Sequence, residues 1–297
     1  MAEEMVECPV CNSADFKLFM KIEDYFLTGE EFTLLECVHC GFRFVNPRPD
    51  ISEIGRYYQS EEYISHDAGK TTLFSRAYKM ARIFSIKSKY NLVSKYAKRG
   101  RILDIGCGTG EFLNYCKTKG FDTSGVEPSE KAGRYAREKN GIDIVTGITE
   151  VKAGKGAFDC ITMWHVLEHV HDLNNTLELV KEFLHPDGVF IVAVPNCNSW
   201  DAEEYGKFWA AYDVPRHLYH FSERTMKMLV AKHGFECREI LPQKLDAFYV
   251  SMLSEKYRRG RSGYLKPGFL GLWSNLKAKT DGRGYSSQIF VLRREKP

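Results

Sequence analysis

The stretch ILDIGCGTGEF, residues 102–112, constrains the chain most. An apolar run ends on Asp104, and glycines follow on alternate positions at Gly106, Gly108 and Gly110. Alternating glycines directly after a strand mean that the backbone must turn tightly and come close to a ligand, which a Cβ would prevent. A phosphate-binding loop needs Gly-Lys-Ser or Gly-Lys-Thr, and here Gly110 is followed by Glu111 and Phe112. The dinucleotide fingerprint spaces its glycines G-x-G-x-x-G, so the third glycine here comes one residue early. Asp104 also sets a carboxylate beside the loop. A pyrophosphate would be repelled there; a zwitterionic group with a positive centre would not.

The surrounding sequence alternates between strand and helix patterns. RILDI, FDTSGVE, IDIV, FDCITMW and GVFIVAV read as strands, the last a continuous apolar run expected of a strand buried on both faces. FECREIL and SQIFVLRR would bring the sheet to seven strands. Between them, GEFLNYCKTKG and PSEKAGRYAREKNG have the glycine stops of helices, and DLNNTLELVKEFL aligns Leu173, Leu177, Val180 and Leu184. SERTMKMLVAKHG opens on a serine cap and carries a Met226, Leu229, Val230 stripe. The expected architecture is a doubly wound, Rossmann-like α/β sheet over residues 99–297. Residues 73–98 space apolar side chains at helical intervals, so residues 51–98 read as a connector and cap helix.

Asp104 to Gly110 reads DIGCGTG, which resembles the first motif of class I S-adenosylmethionine-dependent methyltransferases. Glu127 in GVEPS, FDCITMWHVLEHV and FLHPDGVFIVAVPN fall in the family's order, and the resemblance covers roughly residues 100–240. It implies S-adenosylmethionine as cofactor, with Asp104, Gly106, Cys107, Gly108 and Gly110 under its amino-acid end. Glu127, followed by Pro128, would accept hydrogen bonds from the ribose hydroxyls. Gly147 and Ile148 would lie against the adenine, and Trp164 and His165 along the cofactor. The combination of WHVLEH and VPN is similar to the ubiquinone-pathway O-methyltransferases.

CPVC and CVHCG place Cys8, Cys11, Cys37 and Cys40 in a C-x2-C-x25-C-x2-C pattern. Two thiolates two residues apart wrap one side of a tetrahedral Zn2+, and two such pairs close a structural site. Residues 1–50 are therefore expected to form a zinc ribbon; a redox role would need only one pair. A ribbon followed by the tyrosine-rich RYYQSEEYISH resembles the deoxysugar C-methyltransferases, and the likeness implies that Tyr63 reaches the active site.

The 43% hydrophobic content supports a real core. The longest aliphatic run, VFIVAV, is far short of the roughly 20 residues that span a bilayer, and the acidic start MAEEMVECP is unlike a signal peptide. The reading is a cytoplasmic protein with thiols and metal ligands rather than disulfides. Residues 254–297 carry 11 Lys and Arg against 3 Asp and Glu. Such a basic end suits a solvated face, an anionic substrate, RNA or a membrane surface.

FWAAYDVPRHLYHF, residues 208–221, follows the fifth strand, where parallel α/β folds place ligand contacts. His217 or His220 is the expected general base, and Arg216 the group that orients an anionic acceptor. His165 and His169 would approach from the opposite wall. The expected activity is O- or C-methylation of a small-molecule or sugar-type acceptor. An RNA methyltransferase and a non-catalytic cofactor-binding module are the alternatives.

Overall fold

The computed structural model describes residues 2–59, 73–261, 263 and 265–296. Its centre is a seven-stranded sheet. In chain order the strands are β4 (Gly100–Ile105), β5 (Phe121–Val126), β6 (Asp143–Val145), β7 (Phe158–Trp164), β8 (Leu184–Pro195), β10 (Phe235–Pro242) and β11 (Ser287–Arg294). Across the sheet they run β10-β11-β8-β7-β4-β5-β6. The pairs from β8 to β6 are parallel, whereas β11 is antiparallel to both β8 and β10. All seven strands stand where the sequence pattern placed them.

Side-chain alternation sorts the two faces. Ile102, Cys160, Val189 and Ile191 point to one, where α1 (Leu73–Tyr96) and α2 (Glu111–Thr118) supply Val93, Phe112, Leu113 and Cys116. Leu103, Phe190 and Val192 point to the other, where α4 (Leu173–Phe183) and α6 (Glu223–Lys232) supply Leu177, Val180, Met226 and Leu229. The helix α3 (Glu130–Asn140) starts on a Ser129 cap and ends on left-handed Gly141. The short α5 (Trp200–Tyr205) follows β8, and the expected Ser222 cap of α6 is present and reciprocated by Thr225.

The N-terminal strands β1 (Phe16–Glu23), β2 (Glu31–Cys37) and β3 (Arg43–Val45) form a second sheet. Its fourth strand, β9 (Tyr219–His220), comes from the loop before α6 and pairs with Phe44 and Arg43. Arg48 joins it by donating to the Tyr219 hydroxyl at 2.6 Å. Cys8, Cys37 and Cys40 belong to the same buried cluster as Leu177 and Met226. Ribbon and α/β sheet therefore share one core, and removal of the ribbon would strip a covered apolar face.

The basic C-terminal stretch contains two helices that its composition did not announce, α7 (Asp246–Arg259) and α8 (Leu265–Lys277). With Trp209 and Tyr212 they pack Val250 and Leu270 against Ile22 and Leu34 of the N-terminal sheet. Among the described residues, no helix is long and apolar enough to cross a membrane.

Candidate active site

The glycine loop turns directly off β4. Gly106, Gly108 and Gly110 all have left-handed φ, at 74°, 55° and 73°. At Gly106 a Cβ would lie 2.3 Å from Val166 Cγ2, so backbone conformation and space both exclude a side chain. Glu127, just past β5, accepts from Gly108 N at 2.8 Å and from Ser129 N at 2.8 Å. A carboxylate has about four acceptor positions, so two hydroxyls of a ligand can still be taken up. Gly147 and Ile148 follow β6, next to Glu127, whose N–H donates to Val145 O.

Asp104 is buried opposite Thr162, which donates to it at 2.5 Å. Burial lifts its carboxyl to about 7, against the pull of Thr162 and of the Lys89 ammonium. Lys89 reaches in from α1 and sits 4.8 Å over the Trp164 ring. Trp164 packs edge-on to Phe112, and its Nε1 is buried with no acceptor among the described residues. A buried carboxyl, an orphaned indole N–H, a bare-backbone turn and a strand-end carboxylate suit a zwitterionic nucleoside. The residues fit S-adenosylmethionine.

His165 joins this cleft to a second cluster. It lies in the left-handed region at φ 58°, a conformation in which a non-glycine residue stores strain. Burial opposes its charge, but Asp246 at 3.0 Å and Glu168 at 3.5 Å outweigh it and hold the ring up to about 10. His165 is thus an imidazolium at neutral pH and is unsuited to be a base. Glu168 is buried, and the histidines around it lower its carboxyl against the cost of burial. His169 stands edge-on to His217 with ring centroids 4.5 Å apart, and burial followed by His217 lowers it to about 4. Tyr58 of the connector hydrogen-bonds His169 at 3.0 Å.

Two expectations for the loop before α6 are corrected. Arg216 does not face an acceptor: it is 2% exposed and fully committed. It donates to Asp24 at 2.8 Å, to Asp213 at 2.7 Å and to Tyr57 O at 3.0 Å. His220 is not a base either. It is a strand residue of the N-terminal sheet, edge-on to Tyr212, and burial holds its ring well below the ordinary range. His217 does join the His165 cluster, and Tyr63 lies outside the described residues.

Lys89, Glu168 and Asp246 were not picked out from sequence. Lys89 carried a usable signal, since it lies one helical turn before Val93 on the inward side of α1. Asp246 carried none, because its approach to His165 depends on the crossing of α7.

The four ribbon cysteines converge as expected. Their sulfurs all lie within 4.8 Å of one another, with Cys8–Cys40 and Cys11–Cys37 at 3.5 Å. The two knuckles are alike: Asn12 and Gly41, each just after the second cysteine, have φ 60° and 75°. This donor set fits a tetrahedral Zn2+.

The strand order, with its antiparallel strand inserted next to the edge, and the glycine loop facing a strand-end carboxylate define a class I S-adenosylmethionine-dependent methyltransferase. Residues 77–240 match the family described as "Methyltransferase domain", and the chain belongs to that family. It is 29% identical over 162 residues to a protein of Geobacillus sp. (strain WCH70) that bears a methyltransferase name, covering 46% of this chain and 64% of that one. It is 36% identical over 104 residues to the ubiquinone biosynthesis O-methyltransferase of Caulobacter sp. (strain K31), covering 32% and 41%. The chain therefore spans less than two thirds of either relative's length. A SAM-dependent methyltransferase structure from Archaeoglobus fulgidus shares the fold, with TM-score 0.51 and 19% identity over 75% of this chain and 98% of that one.

Proposed function

We propose that the chain transfers the methyl group of S-adenosylmethionine to an oxygen or carbon of a small-molecule or sugar-type acceptor. The carrying observation is the step from Trp164 to His165, which places the Glu168–His169–His217 cluster directly beside the cofactor cleft. The methyl sulfonium is already electrophilic, so the protein's task is to align a nucleophile with the S–CH3 bond and take up its proton. As the new bond to carbon forms, the S–CH3 electron pair passes to sulfur and leaves a neutral thioether. His165 is cationic, while Glu168, His169 and His217 are the neighbouring groups that can take up the proton of an acceptor hydroxyl. The name of the Caulobacter relative supports an O-methyl product. In the ribbon, Cys8, Cys11, Cys37 and Cys40 would hold Zn2+ as a purely structural ion, since four thiolates leave no open position.

A nucleic-acid acceptor is the second reading, favoured by the three basic residues in the last turn of α7. Much of that basic excess is engaged internally. Arg258 pairs with Glu204, Arg259 and Lys266 with Glu255, and Arg283 with Glu203. The small acceptor is therefore preferred.

His217→Ala and Glu168→Gln should keep cofactor affinity and lower transfer by at least about 10²-fold. The assay follows label from methyl-tritiated cofactor into the low-mass and RNA fractions of a cell extract. Label entering RNA, with salt-sensitive binding, would overturn the small-acceptor reading.

A further inference from the structure

The cluster beside His165 has a second property. One oxygen of Glu168 and one ring nitrogen each of His169 and His217 lie within 4.8 Å of one another. His169 Nδ1 donates to Arg216 O at 2.9 Å, and His217 Nδ1 donates to Ala211 O at 2.8 Å. A carbonyl has no proton to give, so Nδ1 carries the hydrogen in each ring, and Nε2 is the nitrogen left to bind a metal. Glu168 is 1% exposed, and neither of its oxygens takes part in a hydrogen bond among the described residues. Its ion-pair partner His165 stands 3.5 Å away, so the buried carboxylate still has room for a shorter bond to a cation. Two imidazole rings and an anion thus converge on one point of the cleft wall.

We propose that Glu168, His169 and His217 bind a first-row divalent cation, zinc foremost, at a site separate from the four cysteines. Two imidazoles and one carboxylate are a donor set of open, catalytic zinc sites, and the backbone bonds at both Nδ1 atoms fix the rings as such ligands require. Ligand bonds of about 2.0–2.2 Å would set the donors roughly 3.4 Å apart, so the cluster closes by about an ångström, a side-chain movement. Three protein ligands leave a position for an acceptor oxygen. In place of direct proton uptake by the three side chains, the bound cation would acidify that hydroxyl, with its proton passing to water. The use of the site, though not its existence, rests on the methyltransferase reading, and it narrows the acceptor to a hydroxyl compound.

The test is a metal count on the full reduced chain, loaded with Co2+ and desalted, with the absorption spectrum recorded. Two ions per chain are expected. One gives thiolate-to-cobalt charge transfer from the ribbon, and the other only weak ligand-field bands. Glu168→Gln, His169→Ala and His217→Ala should each bind one ion with the thiolate band unchanged. One ion per wild-type chain, wholly accounted for by the thiolate band, overturns the site, as do folded variants that still bind two. The wild-type count decides even where a variant fails to fold. Failure of the methyltransferase reading is distinct: the wild-type chain would then not bind S-adenosylmethionine, whatever its metal content.

Discussion

Asp104 shows how a single buried group sets the pH behaviour of the cleft. Its carboxyl is lifted by burial from the ordinary 3.8 to about 7. Between those values the folded chain holds a proton that the unfolded chain has shed, so stability falls as pH rises through that window and levels off above it. Asp104→Asn removes the titrating group and keeps the shape. The variant's stability advantage, measured as a denaturant midpoint, should widen from about pH 4 to pH 7 and then stay constant; a gap independent of pH would contradict this. Asp104 and Glu127 were legible in sequence because a carboxylate at a strand end beside alternating glycines has few structural uses. Arg216 was misread for the opposite reason. Its Asp24 partner lies 192 residues away in sequence, so nothing local separates an internal tie from an acceptor clamp.

At the level of elements, the α/β alternation announced the whole central sheet because each strand and helix carries its own period and its own stop. The loop of residues 208–221 was recognised as unusual, but Arg216, Tyr219 and His220 serve β9 and its anchoring rather than chemistry. A two-residue strand that joins another sheet has no period to detect. The helices α7 and α8 were missed because their buried groups include Ser251, Ser254, Glu255 and Ser274, which do not trace an apolar stripe. Arg216 is the strut of this region, between the N-terminal turn at Asp24 and the loop at Asp213. Arg216→Met should destabilise the chain by about 3–5 kcal/mol, because it leaves the carboxylate of Asp24 buried and unpaired. A stability loss below about 1 kcal/mol in urea unfolding would show that the pair is dispensable.

On the scale of the whole molecule, ribbon, sheet and C-terminal helices are tied around one cleft. The N-terminal sheet borrows β9, Lys232 of α6 donates to Pro9 O at 2.8 Å, and Tyr58 meets His169. The ribbon thereby braces the wall that carries His169 and His217. Sequence showed the cysteine cluster and the cofactor fold but not their fusion, which depends on contacts between distant segments. The central claim is that the Asp104–Gly110 loop and Glu127 hold S-adenosylmethionine. Isothermal titration of the full chain with S-adenosylmethionine should give one site per chain. In Glu127→Ala it should show a loss of about 1.5–3 kcal/mol for each charge-assisted hydrogen bond removed, roughly ten- to a hundred-fold in affinity. Unchanged affinity in that variant, or no binding by the folded wild-type chain, would contradict the account.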